Sequence, residues 1–514
     1  MNSEHSTETQ KLYSVIMILA ILVIHGCAFC TFGATYWIDS LAYVSLGDAL
    51  FDPGKLKHFY DGIGRWSYSY LGPGLPLLWS GMKLFPTMWE WPLLAIFQHA
   101  IAVGSCLLAF VWAIRPSALG LCAVIILSLL PFYQSGHQML MTESLSASLL
   151  LIAAALTIRL TTRRWSEALF WLLLTILIFA TQFRSYFGLI VAALAGIVLV
   201  QTGKWRSGRS IVLAAVFLGS VLVFPVYRYF SIGELFMPSF GTNRLVWSLW
   251  ADPKPSNELV QVFEESDLPP DYPARDILSK GLDYVDVSRI ASHWKEKGLT
   301  DVQIDQRARK IGARVLTDGP WPTINRVLYG LNSCGFTFPY KLGPAGYEVF
   351  RGKSMDAEWK HQLAYYRWFS WIDSAEYRGS FNLFFRAAQP HIPSSVNSQE
   401  EMIAALEPYL KDPVTYVRDP LFLGLIYIDI WSLLGAAGIL LLFLGREFGL
   451  ATVFVIPVAI NFAATGAAGV PNVRYAYGLI PIYFLAIVVG MQTFRSKIAP
   501  IWDRRTPTRG EAEI

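Results

Sequence analysis

The chain has 514 residues, of which 54% are hydrophobic and only 16% charged, and its mean hydropathy is +0.40. Soluble domains carry about 25% charged residues, so this chain lacks the polar surface to enclose its apolar side chains in water, which excludes an ordinary cytosolic enzyme and a disordered protein. A net charge of +4 over this length is too weak to signal nucleic-acid binding, and 18 Trp, 24 Tyr and 32 Phe suit side chains that straddle membrane interfaces.

The N-terminus is polar to Gln10, and an apolar run follows from Leu12 to Ala34. That run is long for a signal-peptide core and has no small-x-small cleavage site, so it reads as a retained first span. Cys27-Ala-Phe-Cys30 has redox spacing but lies within this run, where packing against lipid or a neighbouring helix accounts for it. A bilayer core needs about 20 apolar residues per helix. Ten segments qualify, near 12–35, 89–114, 117–134, 142–160, 165–183, 185–202, 210–230, 421–444, 448–466 and 475–494.

Lys and Arg in the short loops set the orientation. With a cytoplasmic N-terminus, the inside loops hold Arg115; Arg159, Arg163 and Arg164; Lys204, Arg206 and Arg209; and Arg446. The short outside loops hold only Arg184 and Arg474. Both termini are therefore expected in the cytoplasm of a multi-pass cell-membrane protein. The predicted organisation is an N-terminal tail (1–11), a seven-helix module (12–230) with an extracytoplasmic loop at 36–88, an extracytoplasmic segment (231–420), a three-helix module (421–494) and a disordered basic tail (495–514).

The segment 231–420 holds 21 Lys and Arg against 24 Asp and Glu, a net of −3, which leaves +7 for the rest of the chain. A stretch this long without spans needs structure of its own. Ile304, Ala308, Ile311 and Val315 follow helical spacing, with Arg307, Arg309, Lys310 and Arg314 on other faces. That pattern suits a helix on a membrane surface or one packed in a small domain. Gly319-Pro320-Trp321-Pro322 ends it, and Ser398-x-x-Glu401 reads as the capping box of a later helix. Cys334 is the only cysteine of the segment, so the segment holds no internal disulfide.

Polar groups at membrane depth are costly and carry the functional signal. Asp39 follows the first span and precedes a short interfacial helix; a site acid and an N-cap both fit there. Glu143 opens span four on the same outer face, where the helix dipole also favours an acid. Two such acids suit a divalent ion or a division of acid and base duties. Arg184, Arg228 and Arg474 fall at the outer level, and arginine forks grip phosphate; Arg228 also suits snorkelling to headgroups. Asp429 lies two turns inside span eight, where it requires a partner. His25 and His99 sit singly in apolar spans and read as packing residues, and His137 lies near Glu143.

Three pieces together resemble the GT-C glycosyltransferases, in particular the family related to protein O-mannosyltransferases and bacterial lipid A aminoarabinose transferases. They are Asp39-Ser40-Leu41-Ala42-Tyr43 with Tyr68-Ser69-Tyr70-Leu71-Gly72-Pro73-Gly74-Leu75-Pro76; Met141-Thr142-Glu143; and Arg474-Tyr475 with Pro481. Seven spans before the large outside segment also match that superfamily's module. The resemblance implies an all-α polytopic membrane fold of about ten helices, with a large, mostly helical extracytoplasmic segment between helices 7 and 8. It implies transfer of a sugar from a polyprenyl-phosphate donor to an envelope lipid, glycan or protein. Asp39 would act as base on the acceptor, Glu143 as the second acid and metal partner, and Arg474, Arg184 and Arg228 as donor-phosphate ligands. Tyr43, His137 and Tyr475 would contact substrate. The mannosyltransferases carry Asp-Glu in the first loop where this chain has Asp39-Ser40, a departure that points away from protein mannosylation. A transporter or flippase of a lipid-linked sugar is the competing class; the sequence shows no paired repeat of the kind secondary transporters carry.

Overall fold

The computed structural model describes residues 2–32, 40–61, 72–86, 90–114, 117–129, 133, 137, 141–233, 257–270, 273–275, 284–318, 428–468 and 478–503. No strand occurs among them, and sixteen α-helices do. Ten belong to residues 2–232: α1 (Asn2–Phe32), α2 (Ser40–Ala49), α3 (Pro53–Asp61), α4 (Gly74–Met82), α5 (Glu90–Trp112), α6 (Ala118–Leu129), α7 (Thr142–Thr162), α8 (Glu167–Phe183), α9 (Ser185–Gln201) and α10 (Arg209–Ile232). Then come α11 (Asn257–Glu264), α12 (Tyr284–Glu296), α13 (Asp301–Asp318), α14 (Ile428–Leu444), α15 (Phe448–Ala468) and α16 (Ile480–Asp503).

Four of the helices are long and apolar enough to cross a membrane, over Lys11–Phe29, Pro92–Trp112, Thr142–Thr162 and Arg209–Ile232. Shorter apolar helices cover Ala118–Leu129, Glu167–Phe183, Ser185–Gln201, Ser432–Leu444 and Phe448–Ala464. Their outer surfaces are greasy. On α1, Leu12, Val15, Leu19, Leu22 and Val23 are exposed while Met17 and Ile21 are buried. On α10 only Ser220, Phe224 and Arg228 are buried, a single stripe at four-residue spacing, and Leu218, Leu222, Val223 and Phe230 face outward. Contiguous apolar faces of this size are not stable in water. The chain is an all-α membrane protein.

The most enclosed helix is α7, with 16 of its 21 residues buried. Its sequence explains this. Ser144, Ser146, Ala147, Ser148, Ala153, Ala154 and Ala155 are small enough to let neighbouring helices approach closely. Helices α5, α8, α9 and α16 pack around it, and their apolar faces share one core that includes Phe110, Leu150, Leu177, Leu194 and Tyr483. Glycine does the same at two other crossings. A Cβ on Gly188 would lie 2.1 Å from Thr181 Oγ1, in the α8–α9 hairpin. A Cβ on Gly490 would lie 2.4 Å from the carbonyl oxygen of Gly438, where α14 and α16 cross.

The first loop folds back as a cap on one end of the bundle. Helices α2, α3 and α4 bury Tyr43, Leu46, Leu50, Leu56, Tyr60 and Trp79 against Leu94, Leu145, Phe183 and Phe224 of the spans. Trp79 Nε1 donates to Asp48 Oδ1 at 2.9 Å, and Ser80 Oγ donates to the Gly47 carbonyl at 2.6 Å.

Of the two alternatives for the Ile304 stripe, the structure has the small domain. Ile304, Ala308 and Ile311 are buried against Val260, Phe263, Ile290 and Trp294 of α11 and α12. Trp294 Nε1 closes this unit by donating to the Asp267 carbonyl at 2.9 Å. The Ser398 capping box lies outside the described residues. At the C-terminus the last helix runs on to Asp503, into the stretch expected as a disordered basic tail. The cause is a tether: Lys497 Nζ pairs with Glu447 at 2.6 Å and donates to the Gly445 carbonyl at 3.0 Å, so the added turns are held against the end of α14.

Candidate functional site

Met141 is extended (φ −145°, ψ 152°) and starts α7 without a side-chain cap, which leaves Thr142 and Glu143 at the exposed dipole of the first turn. Arg184 is the single extended residue (φ −155°, ψ 122°) between α8 and α9. Its own N–H closes α8 on Ala180 O at 2.9 Å, and its carbonyl accepts from Phe187 and Gly188 at 3.0 and 3.2 Å to begin α9. With both backbone groups used, the side chain is turned toward the start of α7.

There it makes a directed set of contacts. Arg184 Nη2 donates to Glu143 Oε1 at 2.5 Å, and Nε donates to Thr142 Oγ1 at 2.8 Å. Nη1 donates to Tyr186 Oη at 3.3 Å. Thr142 Oγ1 also meets Glu143 Oε2 and the Tyr43 hydroxyl, each at 3.3 Å. The side chains of Arg184 and Glu143 are 13% and 8% exposed, so the pair is largely withdrawn from solvent but not sealed. The cap helps position it. A Cβ on Gly72 would fall 2.0 Å from the Gln182 carbonyl, and one on Gly74 would fall 2.8 Å from Phe183 Cδ1. The Gly72-Pro73-Gly74 turn therefore seats directly on the residues that precede Arg184.

A second polar cluster backs onto the same turn. His25 of α1, His99 of α5 and His137 are buried, with ring centroids 5.3, 5.4 and 5.5 Å apart. His25 Nδ1 and His99 Nδ1 are 3.0 Å apart, which requires one ring to donate and the other to accept through opposite tautomers. His137 Nδ1 is 2.6 Å from Ser144 Oγ, and Gln98 Nε2 donates to the His137 carbonyl at 2.9 Å. The three Nε2 atoms are buried without a hydrogen-bond partner among the described residues.

The structure thus gathers three of the expected site residues, Tyr43, Glu143 and Arg184, around Thr142, and sets His137 against Ser144, two residues along the same turn. Arg228 of α10 is buried against the cap, its guanidinium 5.2 Å from the Phe224 ring centroid and 5.7 Å from that of Tyr60. Asp39, Arg474 and Tyr475 lie outside the described residues, and for Asp429 only its place in α14 is described. Sequence reasoning missed Ser144 and the joining of His25 and His99, read there as packing residues, to His137. A depth count carries the signal for the trio: His25 is ten residues from the outer edge of the first predicted span and His99 ten from that of the second.

Among the described residues no three His, Cys, Asp or Glu side chains are arranged to hold a metal ion. A divalent ion at Glu143 would share the carboxylate with the Arg184 guanidinium, which holds Oε1. No protein-family model matches the chain, and comparison with curated proteins and with solved structures gives no match.

Proposed function

We propose that the protein is a membrane glycosyltransferase that moves a sugar from a polyprenyl-phosphate donor to an envelope acceptor at the extracytoplasmic face. The proposal includes ten spans with both termini cytoplasmic. The observation that carries it is the Glu143–Arg184–Thr142 group: an acid and an arginine fork, nearly buried, at the end of a bundle whose outer faces are apolar. That is the place where a lipid-linked anion would arrive from the bilayer. A guanidinium already ordered there needs little reorganisation to meet a phosphate oxygen.

In the proposed reaction, the acceptor hydroxyl loses its proton to the Asp39 carboxylate and its oxygen bonds to the sugar's anomeric carbon. The bond from that carbon to the phosphate oxygen breaks, and polyprenyl phosphate departs with the electron pair. The transition state is oxocarbenium-like. Arg184 and Arg474 would offset the negative charge gathering on the leaving phosphate. Arg184 Nη2 is shared with Glu143, so donor phosphate would compete with that carboxylate.

The test is label transfer by the purified protein from a panel of radiolabelled polyprenyl-phosphate sugars to envelope acceptors, comparing wild type with Asp39→Asn. Transfer that persists unchanged in Asp39→Asn removes the assignment of the base. Translocation of the lipid-linked sugar with no transfer makes the protein a transporter instead.

A further inference from the structure

The opposite end of α7 carries a basic surface. From Glu143 to Arg159 the helix spans about 24 Å at about 1.5 Å per residue. Beyond Arg159 two short loops meet, one joining α7 to α8 and the other α9 to α10. Trp165 is the hinge between them. Lys204 Nζ lies 4.8 Å from its ring centroid and the Arg209 guanidinium 5.6 Å from it, while its Nε1 donates to Glu167 Oε1 at 2.8 Å. Arg209 also pairs with Glu167, with Nε to Oε2 at 3.2 Å, which ties the start of α10 to the start of α8. The next residue on the second loop, Trp205, is exposed and carries the Arg206 guanidinium 4.7 Å from its ring centroid.

The charge balance here is one-sided. Along the two loops and their helix ends, Arg159, Arg163, Arg164, Lys204, Arg206 and Arg209 stand against a single carboxylate, Glu167, and that carboxylate is committed to Arg209 and Trp165. Arg163, Arg164 and Arg206 have no carboxylate partner among the described residues, and Lys204 acts on Glu167 without an ion-pair contact to it. The cations adjoin apolar surface: Val200, Trp171 and Ile211 are 65%, 53% and 75% exposed. A ligand that satisfies both features has an anionic phosphate head and acyl chains.

We propose that this loop pair is a binding site for an anionic phospholipid headgroup. Arg163, Arg164, Lys204 and Arg206 hold the phosphate, Trp165 and Trp205 sit at the headgroup level, and the acyl chains lie along Val200 and Ile211. Arginine forks and indole rings are the chemistry suited to that interface, and a basic pocket between helix ends is a recognised form of lipid site. The inference is independent of the proposed activity, because it uses none of the residues assigned to sugar transfer.

The full-length protein in detergent is titrated with phosphatidylglycerol, phosphatidylcholine or inorganic phosphate, and retained lipid is counted by native mass spectrometry. Wild type is expected to retain phosphatidylglycerol at least tenfold more tightly than phosphatidylcholine. Each cation near an anionic surface contributes roughly fivefold in affinity, so R163Q/R164Q/K204Q/R206Q is expected to lose the preference. The charge-retaining R163K/R164K/R206K keeps it, and a variant with Arg495, Arg504, Arg505 and Arg509 changed to Gln keeps it as well. Unchanged helical content by circular dichroism accompanies each variant. An equal preference in the quadruple loop variant, a loss that follows the C-terminal arginines instead, or displacement of the lipid by inorganic phosphate overturns the proposal.

Discussion

Breaking the Arg184–Glu143 pair is the sharpest probe of how this bundle end is built. The two side chains are 13% and 8% exposed and meet at 2.5 Å. At an effective dielectric near 20, two unit charges about 4 Å apart attract by about 4 kcal/mol, and much of that offsets the cost of removing both from water. Removing one partner leaves the other buried without its counter-charge, at a cost of about 3 kcal/mol. Arg184→Met is therefore expected to destabilise by about 3 kcal/mol, as is Glu143→Gln. The double variant leaves no orphaned charge and is therefore expected to cost less than either single variant, a coupling of at least about 3 kcal/mol between the sites. Equilibrium unfolding in mixed micelles, followed by circular dichroism for the four proteins, measures this coupling. Single effects that add to within about 0.5 kcal/mol would show two independent side chains and refute the reasoning.

Three other outcomes follow from the packing. Gly490→Val places a Cβ that starts 2.4 Å from the Gly438 carbonyl; it should cost at least about 1–3 kcal/mol and lower the unfolding temperature, whereas Gly104→Val, where the Cβ meets nothing within 4 Å, should not. Ile304→Ala should destabilise the α11–α13 unit by about 2–5 kcal/mol, seen as faster hydrogen exchange in α12, while exchange in α7 stays unchanged. Burial and the neighbouring imidazoles hold His137 well below the ordinary histidine range, so below about pH 6.5 the unfolded chain binds a proton that the native state refuses. Stability should fall as pH drops from about 7 to 5, and the slope should flatten in His137→Gln; parallel pH profiles for the two proteins would contradict this.

Helix placement was legible because a membrane imposes a strong one-dimensional constraint: spans expected at 165–183, 185–202 and 210–230 correspond to helices at Glu167–Phe183, Ser185–Gln201 and Arg209–Ile232. The polar exceptions were legible for the same reason, since Glu143 and Arg184 stand out against apolar surroundings. Their pairing was not, because 41 residues separate them and the contact depends on the extended backbone of Arg184 between two helices. Thr142 illustrates the difference. In the sequence it is a neighbour of Glu143, and in the fold it is the atom on which Tyr43, Arg184 and Glu143 converge.

Composition and periodicity by themselves determined that this is an all-α membrane protein and singled out the acids and arginines at the ends of its apolar segments, because desolvation makes each charge in an apolar chain conspicuous. Tertiary structure alone decided which of those charges neutralise one another. It also joined His25, His99 and His137 into one cluster and turned the Ile304 stripe inward onto Trp294. Burial and helical period act residue by residue along the chain, whereas partner choice depends on which helix faces meet, and within the apolar bundle small residues at the crossings let those faces approach: the serines and alanines of α7, and Gly188, Gly438 and Gly490.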